Sequence, residues 1–134
     1  MIKVFLQFFA LFLLSVYPSP QITLNIEITN LRNDKGFIML QLFNESEVVI
    51  RQEMGTIKEK KSNIVFKELN AGRYGIRFFH DENMNGTLET NKMGIPTEGY
   101  GFSNNAYGMF GPRPFKDWLF ELKGDERIVL KTKY

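Results

Sequence analysis

Strict alternation of apolar and polar residues is the feature that most constrains what this chain can fold into. The clearest case spans residues 22–29, where Ile, Leu, Ile and Ile alternate with Thr, Asn, Glu and Thr. Successive side chains of a β-strand point to opposite faces, so this pattern indicates a strand with one buried and one wet face. Similar runs recur along the chain, without a helical period between them. The pattern therefore predicts an all-β protein.

Six or seven short strands can be placed, bounded by turns rich in Gly, Asn and Asp. The turn at residues 31–36 predicts that the first two strands form a hairpin. In the run 63–69, alternation places Ile64, Phe66 and Glu68 on one face. Short strands with frequent turns are typical of a β-sandwich. The predicted strands span residues 22–29, 37–43, 63–69, 73–80, 118–122 and 128–132, with a shorter or edge segment near 48–50.

Composition excludes several classes of function. The 134 residues correspond to one domain, and a hydrophobic content of 43% is enough to build a core. A net charge of +2 is too small to predict binding to nucleic acid or to an anionic membrane. The absence of cysteine excludes disulfides, zinc–thiolate sites and a thiol nucleophile. A single histidine excludes a multi-histidine metal site within one subunit.

Residues 1–20 have the layout of a signal peptide, followed by a single β-sandwich domain at 21–134. Lys3 precedes an apolar run at 4–16, and the prolines at 18 and 20 end it. The run is shorter than the roughly 20 residues that span a bilayer. We therefore expect export to the periplasm or beyond the cell, with no membrane span in the mature chain. The cleavage site lacks a clean pair of small residues, so an uncleaved anchor stays open as an alternative.

The loop after residue 80 carries oxygen-bearing side chains at every second position. Gly86 follows them and permits a sharp turn. This spacing lets a short loop surround a hard cation, and it predicts a calcium site. The candidate ligands are Asp81, Asn83, Asn85, the carbonyl group of Thr87, and Glu89.

The same loop differs from an EF-hand in two respects. Lys92 stands where an EF-hand places its bidentate Glu, and a strand rather than a helix enters the loop. With Asp81 and Glu89 as the two carboxylates, the predicted affinity is weak, with Kd roughly 10⁻⁴–10⁻³ M. The alternative is a series of Asx-turns that holds no metal, because Asn, Asp and Gly are also the residues that turns favour.

His80 ends a stripe of core-facing residues, and this position predicts a structural role. No Ser or Cys nucleophile motif accompanies it. The enzymatic alternative is a hydrolase or isomerase that uses His80 with Asp81 or Glu98. Alternation places His80 and Asp81 on opposite faces of the strand, which counts against a catalytic pair.

The segment 94–114 contains five glycines and four aromatic residues, and long loops in compact domains are often functional. We expect it to pack across one end of the sandwich and close the core. The alternative is an aromatic-lined ligand groove or a carbohydrate-binding surface. The candidate ligand-binding residues are Tyr100, Phe102, Asn104, Asn105 and Tyr107.

Long stretches of the chain resemble an exported bacterial family known as domain of unknown function 2141. The similarity lies in His80-Asp81, the Asn-rich loop at 83–86, Gly94-Ile95-Pro96 and the run 98–105, EGYGFSNN. Two upstream runs, LRNDKGFIMLQLFN and LNAGRYGIRFFHDEN, also match in type and spacing. Glu89 is a departure, because Asp is common there in the family.

The resemblance implies an Ig-like or transthyretin-like β-sandwich of about seven strands in a secreted or periplasmic protein, and it implies no activity. The sequence therefore favours an exported, non-enzymatic protein that binds a ligand or partner at the cell envelope. The expected partner is a small molecule, a glycan or an envelope protein, and not nucleic acid. Calcium is the expected cofactor.

Overall fold

The computed structural model describes residues 17–109 and 111–134, and its regular structure is almost entirely β. The signal-peptide prediction falls mainly on residues 1–16, which lie outside the described residues. Two single-turn 3-10 helices, Ser103–Asn105 and Phe115–Asp117, interrupt the strands. The strands are β1 (Ile22–Thr29), β2 (Phe37–Asn44), β3 (Val49–Gly55), β4 (Ser62–Leu69), β5 (Gly72–Asp81), β6 (Tyr100–Phe102), β7 (Tyr107–Gly108), β8 (Gly111–Pro112), β9 (Phe120–Leu122) and β10 (Glu126–Lys131).

Two sheets make up the architecture. The small sheet has the order β10-β1-β4, and the large sheet has the order β3-β2-β5-β6. β9 extends the large sheet by pairing with the first residues of β5. β1 and β10 pair in parallel, whereas the other strand pairs are antiparallel. β7 and β8 form a separate two-stranded ribbon.

The main core lies between the inner faces of these two sheets. Alternation along β1, β2 and β5 delivers aliphatic and aromatic side chains to it, and burying each one stabilises the fold by roughly 1.5–3 kcal/mol. This shared core confirms the prediction of an all-β, sandwich-like fold. In the described part of the chain, no helix has the length and apolar character needed to cross a membrane. The fully or nearly buried residues of this core include Leu24, Ile26, Ile28, Ile38, Leu40, Leu42, Phe66, Ile76, Phe78 and Leu122.

The predicted hairpin between the first two strands is wrong. β1 pairs with β4 and β10, whereas β2 pairs with β3 and β5. The connection between β1 and β2 therefore crosses from one sheet to the other. Alternation specifies which face of a strand is buried but not which strand lies beside it, so it could not distinguish a crossing from a hairpin.

The predicted inward position of Glu68 is also wrong, because β4 contains a bulge. Glu68 has a φ of 60°, and the register against β1 shifts between the pairs Leu24–Phe66 and Ile22–Leu69. A bulge inserts one extra residue and reverses the alternation beyond it. Leu69 is consequently buried beside Phe66, and Glu68 is exposed to water.

Within the segment 94–114, residues 100–102 form β6 at the edge of the large sheet, and Phe102 and Ala106 pack on the outer face of that sheet, the face opposite the core. Phe43 projects there because its neighbour Leu42 points into the core. It contacts Phe102, Ala106 and Trp118, which together form a second apolar cluster. Trp118 belongs to the turn after the second 3-10 helix and not to β9, so the last predicted strand of the large sheet is shorter than expected.

Candidate functional site

The loop that follows β5 closes around the carboxylate of Asp81. This side chain is 2% exposed, although it is the last residue of the strand. Its Oδ1 accepts a hydrogen bond from the Asn85 N–H at 3.2 Å, and its Oδ2 accepts one from the Gly86 N–H at 2.7 Å. Met84 and Gly86 have φ values of 58° and 78°, and these left-handed turns bring the two amides back to the carboxylate.

The other predicted ligands meet a few residues further along the loop. The Asn85 amide donates to Glu89 Oε1 at 2.6 Å, and the Asn83 amide donates to the same oxygen. The Asn85 N–H also lies 3.3 Å from Asn83 Oδ1, which links this group to Asp81. Asn85 Oδ1 in turn accepts the Thr87 N–H at 3.0 Å and the Thr87 hydroxyl at 3.2 Å. All five predicted ligand residues therefore belong to one hydrogen-bonded network.

This network contains carboxylate, amide and backbone oxygens, which are the kinds of ligand that calcium takes. Each carboxylate oxygen of Asp81 accepts one N–H, and such an oxygen has a second lone pair for a cation. Rotation of the Asn83 or Asn85 amide by half a turn would present its oxygen, instead of its nitrogen, to Glu89 and any ion there. Within residues 17–109 and 111–134, no three His, Asp or Glu side chains form a metal-binding group. A calcium ion would therefore depend on amide and backbone oxygens as well as on the two carboxylates.

Glu98 fastens both ends of this loop, a role that the sequence interpretation missed. Its side chain is 4% exposed. Oε1 accepts the Glu82 N–H at 3.1 Å, and Oε2 accepts the Glu89 N–H at 3.2 Å. The signal in the sequence was an acidic residue within a Gly- and aromatic-rich run, where water is scarce and a carboxylate needs donors.

His80 lies inside the protein, with no exposed surface. Its Nε2 is 2.6 Å from the carbonyl oxygen of Lys35, and its Nδ1 is 2.8 Å from the hydroxyl of Tyr134. A carbonyl oxygen accepts only, so Nε2 carries a proton, and in the neutral ring Nδ1 then accepts from the tyrosine. Both ring nitrogens are thereby engaged in connecting β5 to the β1–β2 connection and to the last residue of the chain.

Glu82 joins the same two regions from the surface side. Arg32 Nε donates to its Oε1 at 2.7 Å, and the Asn33 amide donates to its Oε2 at 3.0 Å. Burial favours a higher pKa for this carboxyl, but the hydrogen bonds from Asn33 and Arg32 and the charge of Arg32 outweigh it. The pKa of Glu82 is therefore lowered from its ordinary value. The ion pair attaches the start of the Asp81 loop to the β1–β2 connection.

A groove of about 640 Å³ lies on the outer face of the large sheet, directly beside the Asp81 loop. Three consecutive loop residues, at positions 86–88, form part of its wall. Tyr100 and Phe102, two of the predicted ligand-binding residues, also line it. Its volume falls within the roughly 300–1,000 Å³ of small-molecule pockets. We refer to it below as the outer groove.

The other predicted ligand-binding residues hold the segment 94–114 in place. The Asn104 amide donates to the carbonyl oxygens of Asp117 and Leu119, at 3.1 and 2.9 Å. Asn105 Oδ1 accepts the Lys131 N–H at 3.0 Å. Both asparagines have positive φ values, 58° and 47°, which Asn tolerates better than most residues. Their geometry is that of turn formation and backbone attachment.

Tyr107 anchors the segment through its hydroxyl group, which donates to backbone carbonyls of Tyr100 and Lys131. The rings of Tyr100, Phe102 and Tyr107 pack edge to face, each pair 6.0 Å apart between centroids. Burial, and then the nearby Tyr100, raise the pKa of Tyr107 to about 12. The neutral hydroxyl is therefore the form that the fold accommodates.

Alkaline pH should selectively weaken the fold through Tyr107. The pKa of the folded state, about 12, lies above the ordinary value of 10.0, so this contribution is complete below pH 10 and is lost as the pH rises towards 12. Urea unfolding at several pH values in this window should show a steeper loss of stability for the native protein than for Tyr107→Phe. Burial also raises the pKa of Tyr134, so the variant should keep a smaller residual loss. Parallel pH profiles would contradict the assignment.

Fold and site together define a small, all-β, sandwich-like protein with a carboxylate-closed loop beside a groove on one sheet. The chain belongs to the DUF2141 family, described as an uncharacterized protein conserved in bacteria, whose model matches residues 26–129. The resemblance seen in the sequence is thereby confirmed. Neither the curated proteins nor the solved structures contain a significant match to this chain.

Proposed function

We propose that this is an exported, non-enzymatic protein that binds a ligand or partner at the cell envelope, with a calcium ion fixing the Asp81 loop. The observation that carries the proposal is that residues 86–88 of this loop form a wall of the outer groove. An ion that fixes the loop would also fix the shape of the groove. We further propose an Ig-like or transthyretin-like arrangement, supported by two mainly antiparallel sheets that share one core.

Calcium should raise the thermal stability of the protein through Glu89. At calcium concentrations ten times a Kd of roughly 10⁻³ M, linkage gives about 1.4 kcal/mol, or a rise in Tm of roughly 5 °C for a domain of this size. Thermal melting in chelator and in about 10 mM calcium measures the shift. Glu89→Gln should abolish it, because a neutral amide replaces one of two carboxylates.

Glu121→Gln is the matched control for this experiment. Glu121 is exposed on β9, outside the loop, where it contacts Lys123 at 3.7 Å. The same change of charge there should leave the calcium response intact. An unchanged melting temperature of the native protein in calcium, or an equal shift in the Glu89→Gln variant, would refute the calcium part of the proposal and leave the network of Asx-turns as its replacement.

Export is supported by the apolar run at residues 4–16 and by the position of β1, which begins at Ile22. Cleavage near residue 20 would leave every described strand intact. The intact mass of the protein recovered from the native cell envelope tests this part. A chain that starts near Gln21 supports export with cleavage, and a full-length chain associated with the membrane supports the uncleaved anchor instead.

The surroundings of His80 support a non-enzymatic role. Both of its ring nitrogens are hydrogen bonded inside the protein, and Glu98 directs both of its oxygens to backbone amides. A hydrolase or isomerase would need one of these groups to reach a substrate. The carbohydrate-binding alternative is less well supported than groove binding, because Phe102 is 5% exposed and stacking platforms need an open ring face.

A further inference from the structure

The outer groove contains apolar residues where a sheet of this kind normally presents polar ones. Met39 pairs with Met54 on one side and with Phe79 on the other, and Phe79 pairs with Tyr100. These four residues form a row across four adjacent strands. They lie on the face opposite Ile38 and Phe78, which are buried in the core. A solvated sheet face is expected to be polar, so an apolar row in this position indicates a binding surface.

The protein covers the neighbouring part of the same face with its own side chains. Phe115 and Trp118 pack over Phe43, with ring centroids 5.8 and 5.9 Å from it. The part of the face beyond these rings is open to solvent, and Met54 in that part is 57% exposed. Leu88 from the Asp81 loop faces the uncovered part from the other side. The outer groove is therefore the open remainder of an apolar face that is otherwise closed.

Arg77 is the cationic group of this groove. It occupies the next row of the sheet, between Gln41 and Phe102. Its guanidinium lies 5.4 Å from the centroid of the Phe43 ring and donates a hydrogen bond to Gln41. Across the described ranges it makes no ion pair. Glu53, a carboxylate that also lines the groove, is 4.0 Å from Arg51 instead.

We propose that the outer groove binds a small amphipathic monocarboxylate, with Arg77 holding the carboxylate and the Met39–Met54–Phe79–Tyr100 row holding an apolar body. A guanidinium fork matches the geometry of a carboxylate and can donate two parallel hydrogen bonds. Methionine side chains adapt to aliphatic and aromatic shapes alike, and aromatic rings add flat apolar walls. The inference rests on the proposed binding function and specifies its ligand class.

Two probes with the same apolar body but different head groups separate the contribution of the charge: 4-phenylbutyrate and 4-phenylbutanol. Titration of the protein, labelled at its methionine methyl groups and kept in a buffer that contains calcium, follows binding through the signals of Met39 and Met54 by NMR. The native protein should bind the butyrate more tightly than the butanol. In Arg77→Gln the affinity for the butyrate should fall about tenfold or more, since the charge-assisted hydrogen bonds to its carboxylate are lost, whereas the affinity for the butanol should stay nearly unchanged.

Arg73→Gln is the matched control, because Arg73 lies on the same strand and face but outside the groove. It should leave the binding of both probes unchanged. Met54→Ser, at an exposed edge position, should lower the affinity for both probes by the same factor. If Arg77→Gln does not fold, Arg77→Lys keeps the charge, removes the fork, and should weaken the butyrate selectively.

The outcomes distinguish this inference from the function on which it rests. Equal binding of the two probes, or a loss of butyrate binding that also occurs for the butanol, would overturn the role of Arg77 while preserving an apolar binding groove. Absence of saturable shifts at Met39 and Met54 with either probe would overturn the groove as a ligand site altogether. The inference would be established if Arg77→Gln lost the binding of the butyrate but not of the butanol, and Arg73→Gln bound both probes as the native protein does.

Discussion

The Gly36→Ala variant should lose about 2–5 kcal/mol of unfolding free energy, or more. Gly36 has a φ of +68°, and a Cβ built there would overlap the backbone carbonyl oxygen of Asp81. That oxygen belongs to the strand paired with β2, where Phe37 is the partner of Asp81. A backbone atom in a sheet cannot move aside as a side chain can. The end of β2 would have to separate from β5, which also disturbs the entrance to the Asp81 loop.

Gly94→Ala is the control variant that separates the effect of the steric clash from the effect of the left-handed backbone conformation. Gly94 has a φ of +77°, but no atom lies within 4 Å of a Cβ at that position. Both variants carry the left-handed strain of alanine, roughly 1–2 kcal/mol. Only Gly36→Ala adds overpacking, which costs about 1–3 kcal/mol or more against a total stability of roughly 5–15 kcal/mol. Soluble yield and urea unfolding measure the difference, and equal stability of the two variants would refute the clash.

The His80→Ala variant should lose about 3–5 kcal/mol of unfolding free energy. The substitution leaves a cavity in the position of a fully buried ring and removes the partners of the Lys35 carbonyl and the Tyr134 hydroxyl. An unsatisfied buried polar group costs roughly 1–3 kcal/mol, and the cavity adds to it. Urea denaturation measures the free energy of unfolding, with one common slope (m value) fitted for the native protein and the variant.

Tyr134→Phe is the companion to that variant. It removes the hydroxyl donor to His80 and the acceptor of the Arg32 N–H while keeping the ring. We expect a loss of about 1–2 kcal/mol, clearly less than for His80→Ala. Near-native stability of His80→Ala would contradict the structural role and direct attention back to chemistry at this residue.

The buried faces of most strands followed from the sequence, because alternation records which side chains avoid water. β2 shows this well, since Ile38, Leu40 and Leu42 are all core residues. The pairing of the strands could not be predicted from the same pattern, because it depends on residues far away in the chain. The bulge at Glu68 was equally hidden, since a positive φ at a glutamate has no marker in residue type.

For the candidate site, the spacing of Asp and Asn identified the loop, and the structure joins those residues in one network. The role of Glu98 could not be predicted, because its partners are backbone amides of Glu82 and Glu89 that only the folded loop presents. Of the outer groove, only Tyr100 and Phe102 were candidates from the sequence. Its apolar row combines single residues from four strands. Within its own strand, each one is an apolar residue at a position where alternation places a polar one, so none stands out by alternation alone.

The parallel pairing of β1 with β10 has a consequence for the time at which the chain can fold. Leu24 lies opposite Glu126 and Thr29 opposite Lys131, so the edge of β1 that does not pair with β4 gains its partner about one hundred residues later. Pairings this distant in sequence form slowly and late. A chain emerging from the ribosome cannot complete this sheet until residue 131 is available. One edge of β1 therefore stays unpaired until the last strand has been synthesised.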